Sequence, residues 1–192
     1  MRFGYIAIAA VLTVLAGCSS NRTGGYGGSS DAGATTGSGG APPPQLSPSD
    51  LDFVAQAAFS GLAETQMAGT AQSQSANPAV QSFARQMATD HDQANAELGA
   101  IAKRNNVVVP SVPDNGRQHV AHLLATLSGA AFDQQYIAIQ IAEHRMAVAL
   151  FHTEASIGQN AELRAFAARY EPILSHHLAM AEQLAPQHVS TR

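Results

Sequence analysis

The sequence predicts an all-α protein whose folded part is a four-helix bundle, with a short extra helix in its longest connection. Three observations support this prediction. From about residue 50 to residue 185, apolar side chains recur at spacings of three and four, as in amphipathic helices. No part of this region alternates with a period of two over the length of a strand. Capping residues and glycines divide the pattern into segments of helical length.

Start and stop signals define each element in turn. Asn77 and Pro78 are a typical helix start, because a cap is followed by proline at the first helical position. Ser128 and Gly129 interrupt the pattern further on, and Gly158 with Asn160 separates the last two helices. The predicted long helices cover 50–74, 78–104, 131–157 and 161–184, and the short helix covers 117–127.

The connection between the second and third long helices is the longest one, at about 25 residues. A chain of this length can cross the full height of a bundle, whereas an up-and-down bundle needs only short turns. The sequence therefore predicts a ferritin-like connectivity, in which the short helix lies within the crossover.

The N-terminus has the pattern of an export signal. Met1 and Arg2 precede an apolar run over 3–17, which is shorter than the roughly 20 residues of a membrane-spanning helix. The run ends in Leu-Ala-Gly-Cys, which resembles the lipobox of bacterial lipoproteins and would make Cys18 the lipid-modified residue. The alternative is an ordinary signal peptide. With Ser19 after the cysteine, the pattern predicts an outer-membrane lipoprotein of the cell envelope that faces the periplasm and contacts the membrane through the lipid on Cys18.

These signals divide the chain into four parts. Residues 1–17 are a predicted signal peptide, and 18–48 are the lipidated cysteine and a tether rich in Gly, Ser and Pro. Because such a composition buries little apolar surface, the tether is expected to be disordered. The helical bundle is assigned to 49–186 and a short tail to 187–192.

The composition excludes several functions. A net charge of -4 provides no basic surface for nucleic acid. One cysteine excludes both a disulfide framework and a cysteine-based zinc site. The chain contains no phosphate-binding glycine loop and no nucleophile elbow. A non-enzyme is therefore the favoured interpretation, although these exclusions leave enzymatic activity open.

Each long helix carries one polar residue within its apolar stripe, and these are Glu64, His91, His144 and His177. Glu64 lies 13 residues before Asn77, and His91 lies 14 after it. His144 and His177 lie 16 before and 17 after Asn160. Equal distances from a turn mean equal heights in antiparallel helices, so the four side chains are expected at one level.

One carboxylate and three imidazoles at one level are a suitable ligand set for Zn, Fe, Mn or Cu. Asp90, Glu143 and His176 are adjacent in sequence and are expected at the flanks of the site. The alternative is that each histidine is hydrogen-bonded in the core and binds no metal. The Glu-x-x-His signature of di-iron bundles is absent, because Ala88, Ile141 and Leu174 stand three residues before the histidines.

The bundle region resembles the bacterial ferritin-like family catalogued as domain-of-unknown-function family 4142. The resemblance covers about 50–185 and rests on the segments 52–54, 60–64, 77–80, 90–91, 128–133, 144–151, 163–167 and 176–177. It implies a ferritin-like fold, and family members are often exported or lipid-anchored. It implies no activity, because the family has none assigned.

Two functional hypotheses follow. In the first, the chain is an envelope lipoprotein whose bundle binds a transition metal through the cluster in its middle. In the second, it is a non-enzymatic envelope module with a structural, stress-related or protein-binding role and no metal. The sequence identifies no protein partner.

Overall fold

The structure is a computed structural model, and it describes residues 46–186. The predictions for the signal peptide (1–17), for Cys18, for nearly all of the tether and for the tail (187–192) lie outside the described residues. Within 46–186 the chain forms five helices and no strand. They are α1 (Pro48–Gln74), α2 (Pro78–Arg104), α3 (Asn115–Leu124), α4 (Gly129–Ile157) and α5 (Ala161–Leu184). The prediction of an all-α bundle is confirmed.

Side-chain caps explain where four of the helices begin. The side chains of Ser47, Asn77, Asp114 and Asn160 each accept a hydrogen bond from a backbone N–H of the first turn. The cap at Asp114 makes α3 begin at Asn115, two residues before the predicted start. α4 begins at Gly129, whose φ of 58° is in the left-handed region that glycine tolerates.

Contacts at one end of the bundle define its connectivity. The Asp50 carboxylate at the start of α1 accepts a hydrogen bond from the Gln159 backbone N–H, after the end of α4 (2.9 Å). The Asn160 amide at the start of α5 donates to the Asn105 side chain, after the end of α2 (3.3 Å). α2 and α4 therefore end at the same end of the bundle and run in the same direction. The connection over 105–128 must return along the bundle, and α3 within it contacts α1 and α4.

The apolar core consists of two clusters with no shared residue. One contains Phe53, Phe151, Phe166 and Leu174, and the other contains Met67, Phe83, Met87, Phe132 and Tyr136. On α2, α4 and α5 the boundary between the clusters falls at the buried polar residues His91, Gln140, His144 and His177. On α1 it falls between Ala58 and Ala63, and the buried Glu64 follows directly. A polar layer therefore crosses the middle of the bundle. No helix of the described part of the chain has the length and apolarity to cross a membrane.

Candidate metal centre

His91, His144 and His177 converge in the polar layer, and we call them the histidine cluster. Their ring centroids are 5.7 Å (His91–His144), 5.6 Å (His91–His177) and 5.5 Å (His144–His177) apart. One potential ligand nitrogen from each ring lies within 4.8 Å of the other two. In a tetrahedral site with bonds of about 2.0–2.1 Å, such nitrogens are about 3.4 Å apart. Movements of about an ångström would therefore bring the rings to bonding distance of one ion.

Two of the rings are oriented by hydrogen bonds from their other nitrogen. His144 Nδ1–H donates to the backbone carbonyl of Gln140, one turn earlier on α4, at 2.9 Å. His177 Nε2–H donates to Asp90 Oδ2 at 2.8 Å. A carbonyl and a carboxylate can only accept, so these bonds determine which nitrogen carries the hydrogen. The lone pairs of His144 Nε2 and His177 Nδ1 remain available for a ligand bond.

One nitrogen of each ring is buried without a hydrogen-bond partner. This holds for His91 Nε2, His144 Nε2 and His177 Nδ1 among the atoms of the described residues. A buried polar atom without a partner costs about 1–3 kcal/mol, so one such atom in each of three adjacent rings requires an explanation. A metal ion shared by the three nitrogens would satisfy all of them.

Burial holds the three rings in their neutral form. Burial and the neighbouring rings of His144 and His177 lower the pKa of His91 well below its usual range. Burial and His177 lower the pKa of His144 to about 4. Burial also lowers the pKa of His177, although the Asp90 carboxylate opposes this. Neutral imidazole is the form that binds metals, so the cluster is ready to bind near neutral pH.

Glu64 is buried in the same polar layer. Within 46–186, its carboxyl oxygens are not among the potential ligand atoms that lie within 4.8 Å of one another, which we call the convergent group. Its Oε2 accepts a hydrogen bond from Gln140 Nε2 at 2.6 Å, and its Oε1 has no partner among the described residues. Burial raises the pKa of Glu64 to about 8, although the Gln140 hydrogen bond opposes this. Glu64 is therefore joined to His144 through Gln140.

The three flanking residues have different environments. Asp90 contacts the histidine cluster through His177, and it also accepts a hydrogen bond from Gln86 (2.6 Å). Glu143 forms an ion pair with Arg117 of α3 at 3.1 Å and is directed to that helix. His176 is exposed. Only Asp90 of the three therefore bonds to a member of the histidine cluster.

Gln140 is the residue that sequence reasoning missed. It is fully buried, and it links His144 and Glu64 through its backbone carbonyl and its side-chain amide. A signal was present, because Gln140 lies four residues before His144 and so on the same face of α4. A polar residue in that apolar stripe has the same pattern as the histidines themselves.

The fold and the cluster together define a helical-bundle protein in which three buried histidines can hold a metal ion. A family model described as "Domain of unknown function (DUF4142)" matches residues 35–184. The chain belongs to this family, as the sequence resemblance indicated. No curated protein and no solved structure matches the chain.

Proposed function

We propose that the chain is an envelope lipoprotein whose helical bundle binds one transition-metal ion through His91, His144 and His177. The observation that carries the proposal is that three adjacent rings each have one buried imidazole nitrogen without a hydrogen-bond partner among the described residues. The orienting bonds from His144 and His177 to pure acceptors support it, since metal-ligating histidines are commonly held in this way.

The donor set favours Zn or Cu over the other candidates, Fe and Mn. Imidazole suits Zn, Cu, Fe and Ni, whereas Mn prefers carboxylate, carbonyl and water ligands. Non-haem Fe(II) oxygenase sites combine two histidines with a carboxylate, and no carboxylate belongs to this convergent group within 46–186. Three neutral nitrogen ligands also leave an open fourth position, as in catalytic zinc sites.

Charge balance in the buried layer is compatible with either ion. The Asp90 carboxylate, bonded to His177, offsets one positive charge. A divalent ion leaves a second charge, and Glu64 can offset it if it ionises, because a nearby cation favours the charged form of a carboxyl. Glu64 is thus proposed as a charge partner of the site rather than as one of its three nitrogen ligands.

The location of the protein is proposed from the N-terminal sequence. The pattern Leu-Ala-Gly-Cys ending at Cys18 supports lipidation there, and Ser19 supports the outer membrane. The Gly- and Ser-rich segment that follows would tether the bundle in the periplasm. Labelling cells with a radioactive fatty acid tests this, since Cys18→Ala should abolish incorporation.

Metal content of the purified chain tests the binding proposal. Elemental analysis, followed by titration of the chelator-treated chain with Zn(II) and with Cu(I), should give one ion per chain. Replacing His91, His144 and His177 together with leucine should abolish binding, because leucine fills the space without a donor atom. The matched control replaces His119, His122 and His152, which are all exposed, with alanine and should bind one ion as before.

A chain that takes up neither ion would contradict the proposal and favour the structural or protein-binding alternative. Equal binding by the leucine variant and the wild type would contradict the assignment of the site.

A further inference from the structure

A small cavity adjoins the histidine cluster. His91 and His177 form part of its wall, and His144 does not. The rest of the wall is largely apolar and comes from all four long helices, with Ala57, Leu98, Ala147, Phe151, Phe166 and Leu174 among its residues. The cavity therefore lies on the side of the histidine cluster that faces the apolar cluster with Phe151, Phe166 and Leu174.

Small side chains account for this space. Ala57 of α1, Ala94 of α2 and Ala147 of α4 all line the cavity, each with a single methyl group. Larger side chains at these positions would fill the volume, as they do elsewhere in closely packed cores. The space is thus a consequence of residue choice on three separate helices.

The cavity accommodates only a very small molecule. The region that the centre of a water-sized molecule can reach is about 20 Å³. About 10–15 Å³ of such volume is needed to hold one water, whereas organic ligands occupy pockets of about 300–1,000 Å³. An organic substrate is therefore excluded from this space, while a water or a diatomic molecule fits.

We infer that the cavity is the binding site of a neutral diatomic molecule, such as dioxygen, carbon monoxide or nitric oxide, at the open fourth position of the metal. The inference rests on the proposed metal site. His91 and His177 are residues of the cavity wall, and each has a nitrogen without a partner among the described residues, so an ion held by these rings would lie next to the wall.

The accessible surface of the wall is largely apolar, which suits a neutral diatomic molecule. Its polar side chains outside the histidines are those of Ser60, Asp90, Asn95 and Tyr170, and the Tyr170 hydroxyl donates to Glu97. A neutral diatomic molecule loses no hydrogen bonds on entry and contacts the methyl groups and aromatic rings.

Carbon monoxide binding to the full chain loaded with Cu(I) tests the inference. Under anaerobic conditions the loaded wild type should show one infrared C–O stretch that saturates at one molecule per copper. The bulky ligand tert-butyl isocyanide should not compete, because it exceeds the cavity. Ala147→Leu and Ala94→Leu should each keep the copper and weaken carbon monoxide binding at least about tenfold, since the larger side chain would occupy the space that carbon monoxide needs. Ala149→Leu, at an exposed position of α4, should change neither copper binding nor carbon monoxide binding.

Each outcome distinguishes the two claims. Copper bound without a C–O stretch would overturn the diatomic site and leave the metal site intact. Competition by the isocyanide would also overturn the diatomic site, and this measurement needs only the wild type. Unchanged carbon monoxide affinity in the two leucine variants that keep their copper would do the same. A chain that binds no copper would overturn the proposed function, and with it this inference.

Discussion

Asp90 Oδ2 lies 2.8 Å from Nε2 of His177, so that a carboxylate on α2 holds a buried ring on α5. The other nitrogen of the ring, Nδ1, is buried and has no hydrogen-bond partner among the described residues. Asp90 is itself only partly buried, with 22% of its side chain exposed. A charged group at the edge of the bundle thus orients a ligand in its centre.

We expect Asp90→Ala to weaken metal binding by about 10–100-fold, because the loss of such an orienting partner frees the ring and its tautomer. Isothermal titration of the metal-free chain with Zn(II) measures this. Asp92→Ala is the matched control, since Asp92 is exposed, lies two residues further along α2 and contacts Thr65 rather than a histidine. Equal affinities in the two variants would show that Asp90 has no orienting role.

The hydroxyl of Tyr136 is a polar group within the second apolar cluster. Tyr136 is fully buried, and its hydroxyl has no hydrogen-bond partner within the described part of the chain. We expect Tyr136→Phe to leave the free energy of unfolding unchanged or to raise it by up to about 1 kcal/mol, because an unsatisfied polar group is removed.

Tyr170→Phe is the comparison for this change, because it deletes the hydroxyl that donates to Glu97 at 3.2 Å. This variant should lose about 0.5–1.5 kcal/mol. Urea unfolding measures both variants. A loss of more than about 1 kcal/mol in Tyr136→Phe would show that its hydroxyl is hydrogen-bonded after all.

Much of the fold could be predicted from the sequence, because its helices carry local signals. The caps Asn77 and Asn160 mark helix starts that the structure confirms. The heights of His91, His144 and His177 relative to the turns also agree with the observed cluster, since helix rise converts sequence distance into position.

The side-chain partners within the polar layer could not be predicted in the same way. Period and height place Glu64 in the middle of the bundle, but they do not determine which neighbour its carboxyl group contacts. In the structure Gln140 donates to it, and the carboxyl oxygens lie outside the convergent group. Such a choice depends on rotamers and on residues from another helix, for which the sequence carries no local signal.

Glu154 near the end of α4 should make stability depend on pH. Burial and the nearby Asp50 carboxylate raise the pKa of Glu154 to about 7, from an ordinary value of 4.5. The folded state therefore holds the proton more tightly than the unfolded state. The stabilisation from this group is fully present below about pH 4.5 and is lost as the pH rises to about 7.

We expect Glu154→Gln to remove this contribution, so that the variant gains stability over the wild type as the pH rises from 5 to 7. Urea unfolding of both metal-free proteins across this range measures it. Glu162→Gln is the control, because Glu162 is exposed and pairs with Arg104 at the surface. A constant difference between Glu154→Gln and the wild type at all pH values would contradict the pKa assignment.

X-ray absorption at the metal edge of the zinc-loaded chain tests the central claim most directly, because it reports the ligands of the ion itself. The account predicts three imidazole nitrogens at about 2.0–2.1 Å, with the outer scattering typical of the rings, and two such ligands in His144→Leu. A zinc ion surrounded mainly by oxygen, or an unchanged spectrum in His144→Leu, would contradict it.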